Sequence, residues 1–363
     1  MKKINLLLLM AMSSLIMAGC NSGGTTTSTV ELPISQGWNI LGGNNNVASG
    51  TAIIKINPQT NMLYAAGSVY ESNYSVGVVN QWNGISWSQL GNYILGYVYS
   101  SQQMSGLLAL ALNPLSGELS VGGWNTGVYQ NSSNSQYWSL IGLDFIAGSY
   151  ISSLATGTNG TLYAINDTRT YMYSDFGVGK QWYTIGQNSA AISNVGVDNL
   201  NNVFGTTSNE SGGGVWKYNS QTDLWVQLGN YFPGTAQQIA FSNNGGIYVG
   251  SSFESSSFTE MNGGVWTWNG SNWALLGGEY IPDVERVSSI TVDDSGNVYA
   301  SGYSTNGGGV WKWNGSSWSQ IGGAGTMCDD WGNVGSVSVD TIGNVYAVCG
   351  NRMIGGNVYV HKP

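Results

Sequence analysis

An all-β fold, a seven-bladed propeller of four-stranded antiparallel blades, follows from three observations in the sequence. A pentad, Trp-x-x-Leu/Ile-Gly, recurs seven times. A turn followed by an apolar-aromatic strand recurs seven times between the pentads. The two series are offset, so that one chain end can complete the sheet begun at the other.

The pentads start at Trp38, Trp87, Trp138, Trp182, Trp225, Trp273 and Trp318, with spacings of 49, 51, 44, 43, 48 and 45 residues. The second element opens on Asx or a similar turn starter, as in NPQTNMLY (57–64), DDSGNVY (293–299) and DTIGNVY (340–346). Asp and Asn accept hydrogen bonds from the amides beyond them, and Gly or Asn supplies the positive φ of a tight hairpin. These carboxylates therefore read as turn formers. Calcium would need several more oxygens at each site. A third element precedes most pentads: VNQWNGISW, VWKYNSQTDLW, VWTWNGSNW and VWKWNGSSW, two alternating segments around Asn-Gly or a similar turn. An innermost strand poor in bulk completes each unit, as in GLLALAL (106–112) and VGSVSV (334–339), and suits crowding near an axis. The first pentad lacks a preceding hairpin and the last unit lacks a pentad. The Trp38 segment is therefore expected to close the ring as the fourth strand of the last blade, removing both open edges.

Composition narrows the function. Charged residues make up 8% of the 363 residues, with 10 Lys and Arg against 19 Asp and Glu, so electrostatic nucleic-acid binding is not expected. One His and three Cys leave no imidazole- or thiolate-rich metal site, and no cofactor or catalytic residue is assigned. At the N-terminus, Lys2 and Lys3 precede an apolar run from Leu6 to Ile16, too short to span a bilayer comfortably, and then Met17-Ala18-Gly19-Cys20. That ending resembles the lipobox of bacterial lipoproteins. The resemblance implies a signal peptide over 1–19, lipid on Cys20, and a protein anchored in the bacterial envelope, at the outer membrane or cell surface, by acyl chains only. Residues 20–36 then read as the lipidated Cys and a Gly/Ser/Thr-rich tether, and 37–363 as the propeller.

Within the propeller, VWKYNSQTDLWVQL (215–228) and the Val121-Gly122-Gly123 doublet resemble kelch repeats. The likeness implies a binding module. Kelch-like enzymes such as galactose oxidase require two His at copper, whereas this chain has only His361, so that activity is not carried over.

Loops leaving the fourth strand and loops joining the second and third strands share one face, here called upper, and function is expected there. Several carry a ring beside an acid: Tyr70-Glu71, Asp144-Phe145, Phe253-Glu254, Glu279-Tyr280 and Asp330-Trp331. Aromatic faces with carboxylates suit a glycan or a polar protein partner. Cys328 and Cys349 fall on the same face of one blade, and export favours a disulfide between them. The reading is a non-catalytic, lipid-anchored binding propeller. The alternatives are a carbohydrate-active enzyme using two upper-face carboxylates, and a structural subunit of an envelope complex.

Overall fold

In the computed structural model the described residues are 37–42, 49–71, 74–95, 98–99, 102–103, 106–132, 135–141, 150–167, 169–187, 191–254, 261–304, 306–323, 327–328, 333–351 and 355–363. They form seven four-stranded antiparallel sheets in chain order. The innermost strands of blades 1 to 6 are Ser49–Ile56, Gly106–Leu112, Ile151–Thr156, Asn194–Val197, Thr235–Phe241 and Val284–Val292. Blade 7 contains Asn333–Val339, Val345–Asn351 and Gly355–His361, and its fourth strand is Trp38–Ile40. Trp38 pairs with His361 and Ile40 with Tyr359, so the N-terminal strand closes the ring as the sequence requires.

The pentad has a physical basis that links each blade to the one before it. The Trp87 indole N–H donates to the Leu41 carbonyl at 2.8 Å, Trp138 to Leu90 at 2.8 Å and Trp182 to Ile141 at 2.8 Å. Trp273 donates to Leu228 at 2.7 Å, Trp318 to Leu276 at 3.1 Å and Trp38 to Ile321 at 3.1 Å. In every case the acceptor is the Leu or Ile of the preceding pentad. The Gly after it is needed because the next indole lies where a side chain would go. A Cβ on Gly42 would stand 2.7 Å from Trp87 Cδ1, and one on Gly91 2.8 Å from Trp138 Nε1. Each such bond contributes about 1 kcal/mol net, and the ring of them joins the outer rims.

Cross-strand aromatic pairs reinforce five of the outer hairpins. Trp82–Trp87, Tyr173–Trp182, Tyr218–Trp225, Trp268–Trp273 and Trp313–Trp318 are register partners with ring centroids 5.0–5.7 Å apart. Between blades, small clusters of Ile, Leu, Val and Ala fill the wedge, as with Ala109, Ile151, Leu154 and Ala164 between blades 2 and 3.

Near the axis the Ser residues do more than save space. The inner strands of blades 3, 5, 6 and 7 shift register just before Ser153, Gln238, Ser289 and Ser336. Those side chains accept the N–H of Val195, Ile290, Val337 and Ile54 in the next blade, at 2.9–3.3 Å. A bulge leaves backbone groups outside the ladder, and these inter-blade bonds satisfy amides that face a neighbouring blade.

Candidate upper-face recognition site

The upper face begins where each fourth strand ends. Among the described residues, the outgoing chain of four blades turns back onto the third strand of its own blade and inserts one apolar side chain. Ile94 exchanges two backbone bonds with Gly77 at 2.8 and 2.9 Å, and Phe232 does the same with Gly213 at 2.9 Å. The Ile281 and Met327 amides donate to Gly263 and Gly308 at 2.9 and 3.0 Å. All four inserted side chains are buried. Gly213 is required because a Cβ would run into the Phe232 ring. The signal was present in the sequence as a glycine within each of these third strands, with an apolar residue seven to nine positions after the pentad Trp. These anchors hold the bases of the upper loops against rigid strands.

Of the ring-and-acid pairs, the structure brings together Phe253 and Tyr280. Phe253 lies near the end of the second strand of blade 5 (Ile247–Glu254), and Tyr280 lies in the chain leaving that blade. Their rings stack with centroids 6.2 Å apart at 24°. The Tyr280 ring rests against the backbone of Gly264, where a Cβ would be 2.9 Å from it, and burial raises its phenol pKa. Glu279 beside it is exposed. Next to Phe253, Ser252 and Thr235 share a hydroxyl hydrogen bond of 2.8 Å, and the Gln237 amide donates to Thr235 Oγ1 at 2.8 Å. Stacked rings beside a hydroxyl–amide cluster offer both an apolar face and hydrogen-bonding groups.

Tyr70 and Glu71 end the second strand of blade 1, and Glu254 ends that of blade 5; only their backbones are described. Asp144, Phe145, Asp330 and Trp331 lie outside the described residues, as do Cys20 and the whole of 1–36. Cys328 and Cys349 are joined by a disulfide with Cα atoms 5.5 Å apart, both buried, which ties the chain leaving blade 6 to the second strand of blade 7.

A second aromatic pair was not singled out in the sequence. Trp124 ends the second strand of blade 2 and bridges to Tyr150, which enters blade 3. Trp124 is 56% exposed and Tyr150 43%. The pentad Trp residues are instead buried or half-buried between blades. Trp124 follows the Gly122-Gly123 doublet, and a Cβ on Gly122 would meet Ile151 of the next blade at 2.6 Å. The doublet therefore lets blade 3 approach while the next residue turns outward. Among the described residues no group of three or more His, Cys, Asp or Glu side chains could hold a metal ion.

No family model matches the chain, and no curated protein matches it. Solved propellers do. The Dos1 propeller superposes with a TM-score of 0.62 at 14% identity, covering 87% of this chain and 94% of that one. YCF48 bound to D1 peptide gives 0.60 at 13%, covering 91% and 100%. A catalytically inactive virginiamycin B lyase from Staphylococcus aureus with quinupristin gives 0.59 at 10%, covering 90% and 99%. At these identities the likeness shows the fold alone. The fold hosts peptide binders and lyases alike, so function has to be argued from the site.

Proposed function

We propose that this chain is a lipid-anchored binding propeller of the bacterial envelope that recognises a protein or glycan through its upper face and performs no chemistry of its own. The observation that carries this reading is the exposed Trp124–Tyr150 pair spanning two blades. A large indole left bare in a molecule that uses its pentad Trp residues as mortar between blades contributes little to folding and much to a contact. The stacked Phe253–Tyr280 pair, with the Thr235, Gln237 and Ser252 groups beside it, supports a second contact on the same face. The YCF48 propeller, bound to a peptide, is a neighbour in fold with which this role is compatible. Anchorage rests on the lipobox-like Met17-Ala18-Gly19-Cys20.

The test is a screen of the full-length lipidated protein, reconstituted in nanodiscs, against glycan arrays and envelope extracts. Saturable binding lost in Trp124→Ala and Tyr280→Ala, with unchanged thermal unfolding, is the expected result. Binding that survives both substitutions overturns the upper-face assignment. Cys20→Ser should move the protein from the membrane to the soluble fraction, and continued membrane attachment would overturn the lipid anchor.

A further inference from the structure

The turns at the lower end of the blades carry apolar side chains that the turns themselves do not require. Among the described residues, the seven most exposed large apolar side chains all lie there, from Ile85 at 86% to Phe176 at 64%. At the upper end the most exposed is Trp124 at 56%. The lower set is Ile342 in blade 7, Ile85 in blade 1, Leu115 and Tyr137 in blade 2, Phe176 and Val178 in blade 3, and Leu200 in blade 4. These five blades are consecutive around the ring, with blades 7 and 1 packed together through Val348 and Ile54.

Blades 5 and 6 show that turn chemistry does not account for the set. Asn83-Gly84-Ile85-Ser86 forms the same turn as Asn269-Gly270-Ser271-Asn272 and Asn314-Gly315-Ser316-Ser317. In each, the Asn side chain accepts the amide two residues on, at 2.9, 3.0 and 2.9 Å. The Asp turns repeat the comparison. Asp198 and Asp340 accept the Leu200 and Ile342 amides at 2.9 and 3.1 Å, and Asp293 accepts that of Ser295 at 3.0 Å. Serine thus serves both turns in blades 5 and 6, whose lower turns (242–246, 269–272, 293–297 and 314–317) hold no apolar residue. Bare apolar tips gathered on one arc of one face mark a contact surface.

The course of the chain says what that surface meets. Trp38–Ile40 pairs antiparallel with Gly355–His361, so it runs from the lower end upward, and residue 37 enters the ring at the lower end of blade 7. The 16 residues of 21–36 join that point to Cys20. An anchor at Cys20 therefore attaches to the lower end, and tethering lets individually weak contacts count. Separate projecting tips suit insertion among lipid headgroups better than a flush protein interface. Acids of the arc are turned back into the protein: Asp175 accepts the Gly177 and Gly179 amides, and Asp198 and Asp340 accept those of Asn202 and Asn344. With 19 acidic against 10 basic residues, the chain suits a zwitterionic surface rather than an anionic one. Resting on the reading of Cys20 as lipidated, we infer that the lower face seats on the zwitterionic lipid surface that holds the anchor, with the apolar tips of blades 7, 1, 2, 3 and 4 inserted among the headgroups. The upper face is then turned away from the membrane.

Depth-dependent fluorescence quenching of the full-length lipidated protein, reconstituted in vesicles of phosphatidylcholine and phosphatidylethanolamine, tests this. An environment-sensitive dye is placed at Leu200→Cys on the lower face or Glu279→Cys on the upper. The added thiol is the free one, since Cys20 carries lipid in this reading and Cys328 and Cys349 are paired. Nitroxide lipids labelled near the headgroup should quench the Leu200 dye at least about twofold more than the Glu279 dye. Adding Ile85→Ser, Leu115→Ser, Val178→Ser and Ile342→Ser should bring the Leu200 dye down to the Glu279 level while the protein still sediments with the vesicles. Should that variant fail to fold, the comparison of the two dyes in the parent protein decides. Equal quenching of the two dyes in protein that sediments with vesicles overturns the inference and leaves the lipid anchor standing. Parent protein that does not sediment with vesicles overturns both. A Leu200 dye shielded from water but not quenched by lipid, in protein of doubled mass, assigns the face to a second copy and also overturns the inference.

Discussion

The lower and upper ends of the blades are made by the same strands and differ in how their polar groups are used. At the lower end, Asp198, Asp293 and Asp340 form the same turn three times over. One carboxylate oxygen accepts the amide four residues on at 2.8 Å, and the other accepts that residue's Asn side chain at 2.7 Å. Side chains also cross between neighbouring blades there, as from Asn199 to Asn243 and from Asn243 to Asp294. The Tyr299 and Tyr346 hydroxyls lean on two of the same carboxylates. At the upper end the loops differ in length from blade to blade, and aromatic surface is left open at Trp124 and Tyr150. Repetition marks the end that holds the ring together, and variation marks the end free to meet a partner.

Substitutions can test that division. The largest loss is expected where both chain ends meet. Trp38→Ala removes a buried ring, its bond to Ile321 and its edge contact with His361. It should cost about 3–5 kcal/mol in denaturant unfolding. Next, Cys328→Ser opens a cross-link spanning 21 residues and should cost about 2–4 kcal/mol. Wild-type protein treated with a reductant should unfold at the variant's midpoint. On the lower face, Asp293→Ala strands the amides of Ser295 and Asn297 and should cost about 1–3 kcal/mol. Trp124→Ala on the upper face should alter stability by no more than about 0.5 kcal/mol while abolishing partner binding. If Asp293→Ala proves neutral and Trp124→Ala destabilising, the two faces have been assigned the wrong way round.

A smaller effect concerns the closing seam and pH. Burial lowers the His361 pKa below its ordinary 6.5, so the folded state favours the neutral imidazole. The seam is at full strength above that value and weakens as pH falls through 6.5 toward the folded pKa. Unfolding midpoints measured from pH 7 to pH 5 should therefore fall, and His361→Gln should flatten the profile.

Much of this architecture can be read in the sequence because each pentad residue has one structural duty. The Trp donates to the neighbouring blade, the Leu or Ile carbonyl accepts, and the Gly makes room. The aspartates of the lower turns were legible for the same reason: their partners lie within four residues. The inner Ser side chains were read as small, but their role as acceptors depends on the adjoining blade, 42 to 282 residues away. The exposure of Trp124 was hidden because composition does not distinguish a Trp between blades from one above them.

The closing seam also orders events in time. Trp38 belongs to the first of the described strands, yet its partner Gly355–His361 is the last of them to be synthesised. For most of translation, and during any passage through a membrane, the leading strand has no bed to lie in. Six sheets can assemble before the circle is sealed, and until then both rims offer raw hydrogen-bonding edges to neighbouring molecules. A chain cut short by ten residues would keep most of its blades and lose its lock, so its first failing should be self-association rather than unfolding.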